Sequence, residues 1–333
     1  MSVTVPDSGC CVLTTWTPCS ARLPCKRALA RRSSARIWHP PRTDSRVRHN
    51  RQVCRADLAS TVQNALQTAW QPHPGLASGV LVNSTVYVLG LQILLKGLTP
   101  AGVAHSWVLG TAVYSAFGPA GYALVCLYFI LGSAVTKLKL KQKQKEGIAE
   151  ARSGRRSPGS VWGSGSAGTL CAICALATGN AAFWQVGFVA SFVSKFSDTV
   201  SSEVGKAYGK TTYLITTLKT VPRGTEGAVS LEGTAAGITA AALFAGAALA
   251  LRQVSMQGVV VVTGAAVIAN LFESYLGAAL QGKALWLSND IVNAIQICLA
   301  ACIALVTTAY LYWFSCAAIQ CLHQHMGHPD AHI

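Results

Sequence analysis

The chain has 333 residues, of which 51% are hydrophobic and only 12% are charged, and its formal net charge is +15. A charged fraction so far below the roughly 25% of soluble domains excludes an ordinary water-soluble enzyme. Because residues 1–55 hold eleven Lys and Arg against two acids, a net of +9, the excess charge does not form a nucleic-acid-binding face, and no nucleic-acid partner is expected.

Residues 1–60 are predicted to be a disordered organelle transit peptide. Arginines are scattered among Ser and Thr in this segment, and it lacks the apolar core of a secretory signal. A basic tail that stays on the mature protein is the alternative, and composition alone does not separate chloroplast from mitochondrion. Residues 61–74 are expected to be a short linker or amphipathic segment.

Apolar stretches of membrane-spanning length predict a transmembrane catalytic domain over residues 75–322, followed by a C-terminal tail over 323–333. A break at Gly179-Asn180 favours two short or broken helices between residues 165 and 195. The basic loops 137–160 and 206–226 then share one side of the membrane, since two crossings separate them. The other helices are expected at 75–95, 101–116, 118–136, 228–251, 257–281 and 291–316. The predicted fold is all-α, a polytopic transmembrane bundle of about seven or eight helices.

Polar residues recur at three- and four-residue steps between Ser191 and Gly205, in an otherwise apolar segment, and therefore share one helix face. An ionisable group in an apolar helix is costly, which makes it a functional candidate. A carboxylate among hydroxyls also offers the oxygen ligands that a magnesium-bound phosphate needs. The candidates in this segment are Asp198, Ser201, Ser202, Glu203 and Gly205.

The loop after this helix is rich in Gly, Thr and basic residues, which predicts an anion-binding loop. Glycines let backbone N–H groups turn toward phosphate oxygens, and basic side chains add positive charge. An ordinary positive-inside connector is the alternative. The candidate ligands are Gly209, Lys210, Lys219, Thr220, Arg223, Gly224, Thr225, Glu226 and Gly227.

Two further polar stripes lie in the last two apolar segments. Asn270, Glu273 and Ser274 repeat at helical spacing, and Asn289, Asp290 and Asn293 open the last helix. Acidic groups from three distant segments are expected to converge on one or two divalent cations, Mg²⁺ or Mn²⁺, and the proposed ligands are Asp198, Glu273 and Asp290. Hydrogen bonding that only holds the helices together is the alternative.

The strings SDTVSSEVGKAYGK (residues 197–210) and TTLKTVPRGTEGAVSLEGTAAG (residues 216–237) closely resemble the phytyl-phosphate kinase family of chloroplast tocopherol synthesis. The resemblance runs from about Leu76 to Trp313. An Asp on a helix, a Gly-x-x-Tyr-Gly-Lys turn and a Lys-Thr…Glu-Gly segment are also similar to CTP-using dolichol and phytol kinases. In this sequence, residues 221–225 separate Lys-Thr from Glu-Gly.

The resemblance implies that a nucleoside triphosphate, with CTP as the expected donor, phosphorylates phytyl phosphate or a related prenyl phosphate to the diphosphate. It implies a magnesium- or manganese-dependent enzyme in a chloroplast (plastid) envelope membrane. The residues expected to be catalytic are Asp198, Glu203, Lys219, Glu273 and Asp290. The remaining candidates, with Asn289 and Asn293, are expected to bind the nucleotide. A transporter with a mid-membrane polar site and a non-catalytic membrane protein remain open as alternatives.

Overall fold

The computed structural model describes residues 59–280 and 287–326, so most of the predicted leader and tail lies outside these ranges. A helical stretch over residues 59–68 lies where the short amphipathic segment is expected. The α-helices that follow are α1 (Leu76–Gly97), α2 (Pro100–Thr136), α3 (Leu140–Lys145), α4 (Pro158–Thr178), α5 (Ala181–Tyr208), α6 (Leu231–Ala250), α7 (Met256–Leu280) and α8 (Asn289–Met326). A 3₁₀ turn covers Ala151–Gly154, and β1 (Thr212–Leu214) pairs antiparallel with β2 (Ala228–Ser230).

Six helices are long and apolar enough to cross a membrane, namely α1, α2, α4, α6, α7 and α8 from Asn289 to Ser315. Helix α2 consists of two arms that meet at Gly118. This residue has non-helical angles, φ 63° and ψ −163°, and Pro119 follows it. Gly102 and Gly132 both lie against Arg156, although thirty residues of straight helix would separate them by about 45 Å. Helix α2 therefore folds back at Gly118, between the predicted stretches 101–116 and 118–136. The predicted all-α membrane bundle is confirmed, with seven long helices in eight arms among the described residues.

Helices α4 and α5 form a hairpin that turns at Gly179 and Asn180. Gly179 has φ 69° and closes α4, and the Asn180 side chain accepts a hydrogen bond from the Phe183 N–H at the start of α5. The helices predicted between residues 165 and 195 are too short. Helix α4 begins before residue 165 and α5 continues past residue 195, because the polar sequences on both sides are also helical. The hairpin nevertheless brings both basic loops to the same end of the bundle, as predicted. We call the end of the bundle that holds residues 137–157 and 209–230 the polar end.

Helix α5 is the centre of the bundle, and every residue from Gly187 to Asp198 is buried. Neighbouring helices approach it through glycines. A Cβ on Gly168 of α4 would lie 2.7 Å from the Phe192 ring, and a Cβ on Gly237 of α6 would lie 2.8 Å from Ser201 Cβ. Small residues let helices in lipid approach closely. Helix α5 thus runs from the interior of the bundle to the polar end, and charged side chains lie along this part of it.

Candidate active site

A cavity of about 220 Å³ opens at the polar end. It is lined by the second arm of α2, by α4, α5, α7 and α8, and by the loops before α4 and after α5. Charged side chains from α5, α7, α8 and the loops before α4 and after α5 line it, and six cations face six carboxylates. The cations are Arg152, Arg155, Arg156, Lys195, Lys206 and Arg223, and the carboxylates are Glu150, Asp198, Glu203, Glu226, Glu273 and Asp290. Such a mixture suits a ligand that combines anionic groups with a bound cation.

Lys195 is a central side chain of this cavity, and it is absent from the residues predicted from the sequence. It is 7% exposed, its Nζ lies 2.5 Å from Asp198 Oδ2, and it donates a hydrogen bond of 2.9 Å to Asn293 Oδ1. The rule that singled out Asp198, an ionisable group in an apolar helix, applied equally to Lys195. Asn293 is one turn, or about 6 Å, from the first residue of α8, so the pair contacts the beginning of that helix.

Three arginines from the segment before α4 line the cavity near α2, and we call Arg152, Arg155 and Arg156 the arginine cluster. The Arg156 guanidinium carbon lies 4.5 Å from the Tyr128 ring centroid, and Nη1 donates to Tyr128 Oη at 2.7 Å. Arg155 donates to the Leu98 carbonyl at 3.1 Å. None of the three forms a salt bridge with another described residue. The cluster therefore presents positive charge that no described carboxylate neutralises.

The loop between α5 and α6 covers another side of the cavity, and ion pairs hold this loop and the last turn of α5 against the segment between α2 and α4. Arg223 donates to both Glu146 carboxylate oxygens at 3.0 Å, and Lys206 Nζ lies 3.6 Å from Glu150 Oε1. Burial raises the pKa of the Glu226 carboxyl above its usual value, against the opposing charge of Lys206. The Arg223 charge is thus already used to join the two basic loops.

Two glycines let this loop lie against its neighbours. Gly224 and Gly227 have φ of 84° and 70°, a left-handed conformation that favours glycine. A Cβ on Gly227 would also collide with the backbone of Ala278 in α7. The Gly-Thr-Glu-Gly sequence therefore has a packing role here in addition to any contact with a ligand.

Most residues predicted for the site line this one cavity. They are Asp198, Ser201, Ser202, Glu203, Gly205, Arg223, Gly224, Thr225, Glu226, Gly227, Glu273, Asn289, Asp290 and Asn293. The structure does not bring Gly209, Lys210, Lys219 and Thr220 to the wall. Lys210, Lys219 and Thr220 are exposed, and Gly209 packs against Ser230. After β1 the chain turns back, with the Leu218 N–H donating to the Leu214 carbonyl, and this turn holds Lys219 outside the cavity.

Glu203 is buried and forms an ion pair with Lys143 of α3. Both residues are 1% exposed, and Lys143 Nζ also donates to the Thr136 carbonyl at 2.9 Å. The pair joins the end of α2, the short helix α3 and the last turns of α5. Glu203 therefore has a structural contact that accounts for its carboxylate, although the sequence predicts a catalytic role.

Three carboxylates predicted as metal ligands line the cavity, on α5, α7 and α8. Asp198 is paired with Lys195, whereas Glu273 and Asp290 form no salt bridge with another described residue. The described residues contain no group of three or more His, Cys, Asp or Glu side chains that could hold a metal ion. A cage made only of protein ligands is therefore not formed by this part of the chain.

Comparison with known proteins places this chain among membrane proteins from plants, bacteria and archaea. The family model for integral membrane protein DUF92 matches residues 83–301, which include every residue that lines the cavity. Protein VTE6, chloroplastic, from Arabidopsis thaliana is 46% identical over 262 residues, covering 77% of this chain and 79% of the relative. Uncharacterized membrane protein sll0875 from Synechocystis is 50% identical, covering 68% of this chain and 89% of the relative. No solved structure matches the chain significantly.

Proposed function

The chain belongs to the DUF92 family of integral membrane proteins, and from that premise we propose that it is a prenyl-phosphate kinase. It transfers a phosphoryl group from a nucleoside triphosphate, with CTP as the expected donor, to phytyl phosphate or a related prenyl phosphate. The diphosphate product serves tocopherol and related prenyl-lipid synthesis in a chloroplast envelope. The observation that carries the proposal is the cavity at the polar end of a membrane-spanning bundle, where an arginine cluster without salt bridges shares one wall with buried and half-buried carboxylates.

The proposed reaction needs charge neutralisation more than proton transfer. The acceptor is a phosphate monoester with a second pKa of about 6, so it is mostly dianionic at neutral pH. One acceptor oxygen attacks the γ-phosphorus and forms a new P–O bond. The bond from that phosphorus to the bridging oxygen breaks, and its electron pair leaves with the nucleoside diphosphate. Since no proton must be removed, the task of the protein is to align and stabilise two anions.

The cavity residues divide between these tasks. The arginine cluster binds the nucleotide phosphates, and Lys195 stabilises charge between donor and acceptor. Asp198, Glu273 and Asp290 offer oxygen ligands to Mg²⁺ or Mn²⁺. They fit this ion without a protein-only cage, because Mg²⁺ is usually held by one or two carboxylates together with substrate phosphates and water. When bound, the metal supplies positive charge at the phosphate oxygens.

The opening of the cavity at the polar end favours a kinase over a transporter. A transporter site is expected near the middle of the bilayer, about 15 Å from either surface of the hydrocarbon core. Asn293, which contacts Lys195, is one turn from the first residue of α8, and the cavity around this contact opens at the polar end. A soluble nucleotide can reach this contact from the polar end.

A panel assay tests the proposed function. The purified protein is offered CTP, ATP, GTP and UTP with phytyl, geranyl and dimethylallyl phosphates, and diphosphate products are measured by mass spectrometry. We expect a prenyl diphosphate and a nucleoside diphosphate in equal amounts. Formation of neither product with any pair would overturn the proposal.

Arg156→Ala is expected to raise the KM for the nucleotide about tenfold to a hundredfold, because a charge-assisted contact to phosphate is lost. Lys219→Ala is the matched control, since Lys219 is exposed and outside the cavity. It should change that KM less than about twofold. Steady-state kinetics at saturating acceptor measure both. A larger rise of this KM in Lys219→Ala than in Arg156→Ala would contradict the assignment, because it would mean that the nucleotide binds at the loop after β1.

A further inference from the structure

A second, narrower cleft lies between α6 and α7 and continues the cavity. It shares Ser201, Val229, Asn270 and Ser274 with the cavity wall and extends to Ile238 of α6 and Leu271 of α7. The polar cavity therefore leads directly into a gap between two helices that are long and apolar enough to span the membrane.

The cleft changes from polar to apolar along its length. At its inner end, Ser197 donates to the Gly237 carbonyl at 2.8 Å, and the Asn270 amide donates to Ser197 Oγ at 3.3 Å. At its outer end, Ile238 and Leu271 are 44% and 48% exposed. Exposed apolar side chains on membrane-spanning helices face lipid. This gradient fits an amphiphile with a polar head and an apolar chain.

The same two helices carry unpacked glycines farther from the polar end. Gly246 of α6 and Gly264 of α7 have open space where a Cβ would lie. Each is about two helical turns from the residue of its helix at the mouth of the cleft. No side chain therefore packs against these two positions on the outer surface of the helices.

We propose that the cleft between α6 and α7 is a lateral binding site for the isoprenoid chain of the acceptor. The chain lies between the helices in contact with lipid, and the phosphate reaches the cavity beside Ser201, Asn270 and Ser274. The inference rests on the proposed function. Entry through the polar end would take an apolar chain past the charged wall and out of lipid, which is unfavourable.

The two substrates then approach from different sides. The arginine cluster lies near α2 and the start of α4, whereas the cleft lies between α6 and α7. The central helix α5 carries Lys195 and Asp198 between these sides. The nucleotide comes from water and the lipid phosphate from the bilayer, so neither has to pass the other.

Ile238→Trp fills the mouth of the cleft, and Ile268→Trp is the matched control. Ile268 is 54% exposed on α7 and lines neither the cleft nor the cavity. Ile238→Trp should lower kcat/KM for phytyl phosphate roughly tenfold or more, while that for dimethylallyl phosphate changes less than about twofold. The chain of dimethylallyl phosphate is too short to reach the mouth of the cleft. Equal losses for both acceptors, or the same selective loss in Ile268→Trp, would overturn the proposal.

Photo-crosslinking separates this inference from the kinase proposal. The probe is a prenyl monophosphate with a diazirine in its chain, applied to the full protein in lipid nanodiscs. We expect labelling of α6 and α7 near Ile238 and Leu271 that phytyl phosphate competes away. Competed labelling of other helices, or no competed labelling, would overturn the lateral site even if turnover is observed. Absence of turnover together with labelling of the cleft would overturn the kinase proposal alone.

Discussion

Asp198→Asn is expected to lower the NTP-dependent phosphorylation of phytyl phosphate by about a thousandfold or more, an effect typical of removing a central charged group from a phosphoryl-transfer site. The amide keeps the shape of the side chain and can still accept a hydrogen bond from Lys195. It loses the negative charge that balances Lys195 and that would bind a divalent cation. Initial rates of diphosphate formation by purified wild-type and variant proteins measure the effect.

Glu232→Gln is the control for this variant, because it removes a carboxylate from the polar end outside the cavity. Glu232 lies in the first turn of α6 and accepts a hydrogen bond from the Lys210 N–H. Its substitution should leave the rate within about twofold of wild type. Both variants should insert into membranes and elute as the wild type does in size-exclusion chromatography. A fully active Asp198→Asn protein would exclude any role of this carboxylate in the reaction.

Glu203→Ala is expected to destabilise the protein by about 3–5 kcal/mol, because Lys143 would remain buried without its ion-pair partner. The double variant Lys143→Met/Glu203→Leu replaces both charges by apolar groups and should recover most of the lost stability. Thermal unfolding in one detergent, followed by the exposure of buried cysteines, compares the three proteins. A Glu203→Ala protein as stable as wild type would show that the pair contributes little.

The same double variant decides whether Glu203 is catalytic, as the sequence predicts, or structural. A protein with restored stability and turnover close to wild type is the result that the buried pair implies. A stable but inactive double variant would instead support the catalytic assignment. A loss of activity in Glu203→Ala alone would not separate unfolding from a catalytic defect, so the comparison depends on the double variant.

The long helices and their convergence could be predicted because they depend on local patterns. The length of the apolar stretches identified the membrane-spanning helices. The break at Gly179-Asn180 marked the hairpin that brings the two basic loops to one end of the bundle. Helical spacing then placed Asp198, Glu273 and Asp290 at the same end, where all three line one cavity. An isolated carboxylate in an apolar helix is a strong signal, because its burial must be compensated.

Contacts between distant segments could not be predicted from these patterns. The arginine cluster belongs to a basic run whose composition is the same whether it faces solvent or a cavity. Lys219 follows a short strand, and only the turn after that strand decides that it lies outside the cavity. Lys143 and Glu203 are sixty residues apart, so their pairing has no local signature.

A contact of two glycines with the start of α8 could not be predicted from local patterns either. Gly159 and Gly163 of α4 lie against Asp290, and a Cβ on Gly163 would be 2.8 Å from the Asp290 carbonyl oxygen. Two small residues four positions apart are typical of a close helix contact in membranes. This spacing does not identify the partner, which in the structure is the helix that carries one of the site carboxylates.

Transfer of label from γ-labelled CTP to phytyl phosphate, by the purified protein in lipid nanodiscs, tests most directly whether the cavity is a phosphoryl-transfer site. We expect labelled phytyl diphosphate with the wild type, and none after chelation of divalent cations or with Asp198→Asn. No labelled diphosphate from any γ-labelled nucleoside triphosphate, or equal labelling by Asp198→Asn, would contradict the assignment.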